Sequence, residues 1–157
     1  MLYHNRHSNP VYRIALKARE ETRKLIIKHP DKIEAYAEDL GCACAIGSYI
    51  LTRALKRARI PSIFVVGIAY EKSLPSYYTQ GVENHCWIEL MDGTIIDITA
   101  TQFGVPSKLI FFHRKNRNYR PHLKGREAIK SLKLWPVEQN PMNHQGLLKT
   151  AIKTISA

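Results

Sequence analysis

One ordered stretch in the middle of the chain constrains the fold more than any other part. An amphipathic helical pattern covers 44–58, and a β-branched apolar run follows at 62–69. Two shorter runs at 84–90 and 94–99 are separated by the turn dipeptide Asp-Gly at 92–93. This order predicts an α+β fold in which the helix packs on a small antiparallel β-sheet.

Further elements are predicted on both sides of that stretch. Periodic apolar residues predict a helix at 11–29, and Asp31, with Glu34 three residues later, predicts the cap of a short helix at 31–40. The remaining segments are predicted as a long loop at 70–83, a strand at 109–112, a basic loop at 113–124, and helices at 125–134 and 144–155. The fold therefore carries extra helices at its N- and C-termini.

The size and composition of the chain are those of one globular domain. The chain has 157 residues, of which 45% are hydrophobic and 24% are charged. We expect a single domain over 1–157, with a core at about 40–104 and a basic C-terminal extension at 105–157. No apolar run approaches the roughly 18 residues that cross a bilayer, and the N-terminus has no apolar signal core, so no membrane partner is expected.

The three cysteines are Cys42, Cys44 and Cys86. An odd count in a chain of this size argues against a fold held by disulfides. A reducing compartment, the cytoplasm, is therefore expected, although secretion as an effector is compatible with the same sequence.

Positive charge is concentrated in the C-terminal third. The whole chain has a formal net charge of +11, and residues 106–157 hold eleven Lys and Arg against the two acids Glu127 and Glu138. A basic segment of this kind fits an acidic protein surface or nucleic acid, or is simply a solvated face. A protein or peptide substrate with acidic character is the preferred partner, and nucleic acid is less favoured.

Three residues in this order have the chemistry of an acyl-transfer site. Cys44 begins the predicted helix, His85 lies near the start of one strand, and Asp97 lies near the end of the next. A helix N-terminus and a neighbouring imidazolium both lower a thiol pKa, which would make Cys44 a nucleophile. His85 would transfer protons and Asp97 would orient its ring. The backbone N–H of Cys44 would stabilise an oxyanion.

The hairpin must have one particular loop length if Asp97 is to reach His85. Side chains alternate between the faces of a strand, so a two-residue loop would place the two residues on opposite faces. A three-residue loop, with Gly93 in the left-handed region, pairs Leu90 with Thr94 and Trp87 with Asp97. The sequence therefore predicts a three-residue loop at 91–93.

Alternatives remain for the cysteines. Cys42 could precede the helix as its cap and be the nucleophile instead of Cys44. Zinc could be bound by both of these with His85 and Cys86, but neither Cys-X-Cys nor His-Cys is a usual zinc spacing. We expect no metal and no other cofactor, and we expect Cys86 to be a core residue.

These segments resemble the transglutaminase-like branch of the papain-like superfamily. The helix that begins at Cys44 and runs into Ile60-Pro61 is similar to the nucleophile helix of that branch. His85-Cys-Trp-Ile-Glu is similar to its His-X-Trp-X-Glu strand, and Asp97-Ile-Thr to its Asp-X-Thr element. Cys42 stands where the family usually has glycine. The resemblance covers about 40–104, including an ending that also resembles glutamine-deamidating toxin domains.

The resemblance implies a cysteine enzyme that acts on carboxamides through a thioester. Deamidation or transglutamination of protein glutamine is preferred, and a cysteine peptidase is the alternative within the same fold. A basic nucleic-acid- or protein-binding module is the alternative without catalysis. Trp87, Tyr77 and Tyr78 are the expected substrate-binding residues.

Overall fold

The computed structural model describes residues 9–69, 82–103, 110–112 and 119–156. In the described residues two α-helices come first, five strands follow, and two further α-helices end the chain order. The helices are α1 (Pro10–Lys28), α2 (Cys44–Arg57), α3 (Arg126–Ser131) and α4 (Gln145–Ser156). The strands are β1 (Ser62–Ala69), β2 (Val82–Leu90), β3 (Ile95–Asp97), β4 (Ile110–Phe112) and β5 (Tyr119–Lys124). The fold class is therefore α+β, as the sequence predicts.

The five strands form one sheet in the order β4-β3-β2-β1-β5, and every neighbouring pair is antiparallel. β2 lies at its centre, so His85 is flanked by β1 on one side and by the β3 strand that carries Asp97 on the other. Segment 105–157 contributes β4, β5, α3 and α4 to the fold. Within the described ranges, no helix combines the length and apolar composition that crossing a membrane would need.

Two layers of apolar side chains cover the two faces of the sheet. On one face α1, α2 and α4 pack together over a cluster that includes Ile88 and Ile96. On the other face Val65, Trp87 and Tyr119 form a smaller cluster. Neighbouring residues of β2 point to opposite faces of the sheet, so this strand contributes side chains both to the helical core and to the cluster around Trp87.

Local capping signals explain where two of the helices begin and end. The side chain of Asn9 accepts a hydrogen bond of 2.9 Å from the Val11 N–H, and Pro10 occupies the first turn of α1. α2 ends in a left-handed residue, Arg59, with φ of 60°, and the Ile60 N–H donates to the Leu55 carbonyl at 2.9 Å. This Schellman-type ending turns the chain directly into β1.

The predicted helix at 31–40 is wrong. The segment forms turns, in which the Leu40 N–H donates to the Tyr36 carbonyl at 2.8 Å and the Tyr36 N–H donates back to the Gly41 carbonyl at 3.0 Å. Leu40 is buried with φ of 61°, a conformation that no right-handed helix contains. Burial of Ile33 and Leu40 on the core outweighs the capping pattern at Asp31.

The basic loop predicted at 113–124 is also wrong where the structure describes it. Residues 119–124 form β5, which pairs with β1 at the edge of the sheet. Pro121 fits this strand although it lacks an N–H, because β5 lies at the edge of the sheet. The other predicted helices and strands are confirmed with shifted ends: β3 stops at Asp97, and the helix at 125–134 becomes α3 followed by a 3₁₀ turn at Leu132–Leu134. The loop predicted at 70–83 lies outside the described residues except for its last two positions, which belong to β2.

Candidate active site

Cys44 is the first residue of α2, and a strained turn delivers it there. Its N-cap is Ala43, so α2 begins without a capping hydrogen bond from the side chain of the N-cap residue. Cys42, two residues earlier, has φ of 65°. The left-handed residue explains why a glycine would be favourable at this position. Cys42 is therefore part of the turn before the cap residue.

The hairpin that carries His85 and Asp97 has the predicted geometry. The Leu90 N–H donates to the Thr94 carbonyl at 2.8 Å, and Gly93 has φ of 88°. The loop is therefore 91–93, and the same register places Trp87 opposite Asp97. This confirms the three-residue loop and brings both site residues to one face of the hairpin.

Asp97 is a fully buried carboxylate with a hydrogen-bond partner on each oxygen. Its Oδ2 lies 2.7 Å from His85 Nε2 and accepts from the Tyr119 hydroxyl, also at 2.7 Å. Its Oδ1 accepts from the Thr99 N–H at 2.9 Å and from the Thr99 hydroxyl at 3.2 Å. The carboxylate therefore fixes the orientation of the His85 ring through Nε2.

Burial and hydrogen bonding oppose each other at the acid. Burial favours the neutral carboxyl, but the charge of His85 and the hydrogen bonds from His85 and Tyr119 outweigh it. The pKa of Asp97 is held below its ordinary value, so the group is an anion throughout the neutral range. Burial also lowers the pKa of His85, but the charges of Asp97 and Cys44 outweigh it and raise that pKa to about 10.

The Cys44 thiol contacts both the ring of His85 and a second thiol. Its side chain lies beside the Cys86 thiol and the His85 ring, and both groups act on its ionisation. Hydrogen bonding from the Cys86 thiol, with the charge of His85, outweighs burial and lowers the pKa of Cys44 to about 5. Burial and donation to Cys44 hold the pKa of Cys86 well above its ordinary value. Cys86 therefore stays protonated as a donor to the Cys44 thiolate.

Aromatic rings support the imidazole from within the protein. The Trp87 ring is stacked near His85 at a centroid distance of 6.1 Å and meets the Tyr119 ring edge-on at 5.1 Å. The rings approach closely because β1 has glycine at position 67. A Cβ there would overlap the Arg120 carbonyl and lie 2.7 Å from the Trp87 ring. Gly67 therefore allows β5 to bring Tyr119 to Asp97.

A second layer of hydrogen bonds holds the turn after β3. Arg19 of α1 donates through Nη1 to the Ile98 carbonyl at 2.6 Å. The amide of Gln102 donates to the Thr99 carbonyl and hydroxyl, both at 3.0 Å. These contacts keep the Thr99 N–H and hydroxyl directed at Asp97.

The residues assigned to substrate binding have different outcomes. Trp87 has no exposed surface, and its ring packs against His85 and Tyr119, so its direct contact with a substrate stays a prediction. Tyr77 and Tyr78 lie outside the described residues. Cys44, His85 and Asp97 are brought together, and their catalytic roles stay predictions.

Two residues beside the triad take part in the site although no sequence pattern indicates it. Tyr119, from the basic C-terminal segment, is 7% exposed and donates a hydrogen bond to Asp97. Cys86 is a buried core residue, as the sequence predicts, and its thiol also lies beside Cys44. The only sequence signal for Cys86 is that it lies next to His85.

The described residues contain no candidate metal-binding site. No group of three or more His, Cys, Asp and Glu side chains within 9–69, 82–103, 110–112 and 119–156 is arranged to hold a metal ion.

Comparisons with protein-family models, with curated proteins and with solved structures each find no match for this chain. The site must therefore be interpreted from its own chemistry.

Proposed function

We propose that this chain is a cysteine-dependent acyl-transfer enzyme that acts on carboxamides, with a papain-like, transglutaminase-like architecture. Its reaction would be deamidation or transglutamination of glutamine side chains in a protein or peptide. The observation that carries the proposal is the arrangement of Cys44, His85 and Asp97: the Cys44 thiol lies at the start of α2 beside the His85 ring, and His85 Nε2 lies 2.7 Å from a buried Asp97 oxygen.

The first half-reaction uses the ion pair as it stands. The Cys44 sulfur would attack the carboxamide carbon, and the amide N–H groups at the start of α2 would stabilise the oxyanion. His85 would donate its proton to the leaving nitrogen as the C–N bond breaks. The products are a thioester on Cys44, free ammonia and a neutral His85.

The second half-reaction follows from the loss of the thiolate. Cys44 is one of the charges that raise the His85 pKa, and the thioester carries no charge. The His85 pKa therefore falls when the thioester forms, which makes the ring a base that can accept a proton from water or from an amine. Water gives glutamate, an amine gives a substituted amide, and both regenerate the thiolate.

The test is a pair of assays on a generic glutamine-rich protein such as casein. Ammonia release measures acyl-enzyme formation, and incorporation of a fluorescent primary amine measures transfer. Both should be lost in Cys44→Ala and retained in Cys42→Ala, because only the first sulfur contacts His85. If Cys42→Ala abolishes turnover while Cys44→Ala does not, the assignment of the nucleophile is wrong.

The same samples separate the acyl-transfer reactions from proteolysis. Intact-mass measurement reports a gain of about 1 Da per deamidated glutamine and reveals any backbone cleavage. Cleavage that depends on Cys44 without ammonia release would replace the proposal with the peptidase alternative. Absence of both in the wild type would leave the thiol site without the proposed activity.

A further inference from the structure

The C-terminal half of α2 borders a groove that the thiol chemistry does not use. Two adjoining hollows of about 440 Å³ each meet there and share Tyr49, Arg53 and Lys56. We define this surface as the basic groove by its cationic side chains: Arg53, Lys56, Arg57, Arg126, Lys130 and Lys149. At a rise of about 1.5 Å per residue, Arg53 lies roughly 13 Å along α2 from Cys44.

The lining of the groove contains cations without balancing acids. No Asp or Glu is among the described residues that line either hollow. Among the described residues, Lys130 alone of the six cations has a carboxylate within 4.0 Å, an exposed contact of 3.9 Å with Glu127. Cations gathered in this way repel one another, and that cost is relieved when an anionic partner enters.

Helix stability does not explain all of these positions. Lys56 and Arg57 lie in the last turn of α2, where a positive charge stabilises a helix. Arg126 is instead the first residue of α3, where a positive charge is unfavourable. Lys149 lies in the N-terminal half of α4, whose first turn contains no acid. Four elements of structure, including the start of β1, therefore converge on one positive concavity.

The floor of the groove identifies the class of anion. The partly exposed Ile129 and Met142 line one hollow, and the buried Leu148 and Ile152 lie behind the surface of the other. Such side chains form pockets for apolar anchors of a polypeptide. Single-stranded nucleic acid stacks successive bases on several exposed aromatic rings, but among the described lining residues only Tyr49 has a partly exposed ring, since Phe64 is 1% exposed.

We propose that the basic groove binds an acidic segment of a partner protein, with Asp or Glu side chains on the cationic rim and an aliphatic side chain in the hollow that Ile129 and Met142 line. The binding does not require the thiol chemistry, so it is independent of the proposed enzymatic function. Electrostatic attraction would give the association a strong dependence on salt, and the aliphatic anchor would give it selectivity among anions.

Fluorescence anisotropy with the full chain tests the proposal. The probes are a labelled peptide that alternates Glu and Leu, an all-Glu peptide of equal length, and single-stranded DNA of equal charge. We expect the Glu-Leu peptide to bind most tightly. Arg53→Glu with Arg57→Glu should weaken its binding at least about tenfold, and Lys149→Glu on a different helix should weaken it about threefold.

A matched control separates the groove from net charge. Arg13→Glu with Lys17→Glu makes the same change at two exposed positions of α1 with the same spacing, and should change binding less than about twofold. Circular dichroism checks that each variant is folded. Equal weakening by the groove and control pairs overturns the proposal, as does tighter binding of the DNA or no measurable binding of the Glu-Leu peptide.

Discussion

Cys44 is a buried thiol whose ionisation depends on two neighbours. Burial alone would keep it protonated, but the Cys86 thiol and His85 bring its pKa to about 5. The ordinary value for a cysteine is 9.0. The rate of alkylation by iodoacetamide, followed by peptide mapping, should therefore rise with an inflection near pH 5 for Cys44.

Variants of Cys86 measure its share of this effect, with Cys42 as the control. Cys86→Ala should move the inflection to higher pH, because the thiol that contributes most to lowering the Cys44 pKa is removed. Cys86→Ser should move it less, because a hydroxyl can still donate a hydrogen bond. Cys42→Ser should leave the profile unchanged. An inflection near pH 9 in the wild type would mean that the thiolate is not stabilised as the contacts indicate.

His85 is held as a cation chiefly by Asp97. Burial would lower its pKa, and the charges of Asp97 and Cys44 raise it to about 10. In Asp97→Asn the charge with the larger effect on His85 is absent, so the pKa of His85 should fall toward or below its ordinary value of 6.5. The imidazole nitrogen shifts in NMR measure this directly.

Tyr119→Phe is the matched control for that experiment. It removes one hydrogen bond to Asp97 Oδ2 but keeps the charge, so the His85 pKa should remain far above that of Asp97→Asn. Equal pKa values in the two variants would contradict an electrostatic role for Asp97.

At the scale of elements, the sequence predicted the hairpin better than the turn before α2. Strand alternation and the Asp-Gly dipeptide determine the 91–93 loop and with it the His85–Asp97 pairing. The turn at 36–42 depends on Leu40 reaching the core in a left-handed conformation, which no local pattern encodes. The position of β5, and therefore of Tyr119, depends on its pairing with β1, from which β2, β3 and β4 separate it in the sequence.

The turn before α2 contains two strained positions with opposite predicted responses to glycine. Cys42 is partly exposed with φ of 65°, so Cys42→Gly should raise the free energy of unfolding by about 1 kcal/mol. Leu40 has φ of 61° but is fully buried, so Leu40→Gly should lower it by about 3 kcal/mol through loss of packing. Urea denaturation measures both, and a loss of stability in Cys42→Gly would contradict the strain.

Gly67 couples β5 to the site. In Gly67→Ala the added Cβ would overlap the Arg120 carbonyl, so β5 must move away from β1 or the chain must lose stability. We expect destabilisation of about 2 kcal/mol and a weaker Tyr119–Asp97 contact, detected as a change in tyrosine fluorescence. Gly146→Ala, where a Cβ meets no atom within 4 Å, is the control and should be neutral or slightly stabilising.

At the scale of the whole molecule, the Cys44–His85 pair links stability to pH. The pKa of Cys44 falls from 9.0 in an unfolded chain to about 5, so its contribution is complete above pH 9 and is lost as the pH falls toward 5. The pKa of His85 rises from 6.5 to about 10, so its contribution is complete below pH 6.5 and is lost as the pH rises toward 10.

Between pH 6.5 and pH 9 the two contributions together make the free energy of unfolding independent of pH. Folding in this range moves a proton from the thiol to the imidazole, so the folded and unfolded chains bind the same number of protons. The wild type should therefore have a plateau of unfolding free energy across that range, with losses on both sides. Cys44→Ser removes the thiolate but keeps Asp97 beside His85, so its stability should decline steadily as the pH rises above 6.5. Urea denaturation at half-unit pH steps measures both curves, and parallel curves for the two proteins would mean that the folded chain does not hold the ion pair.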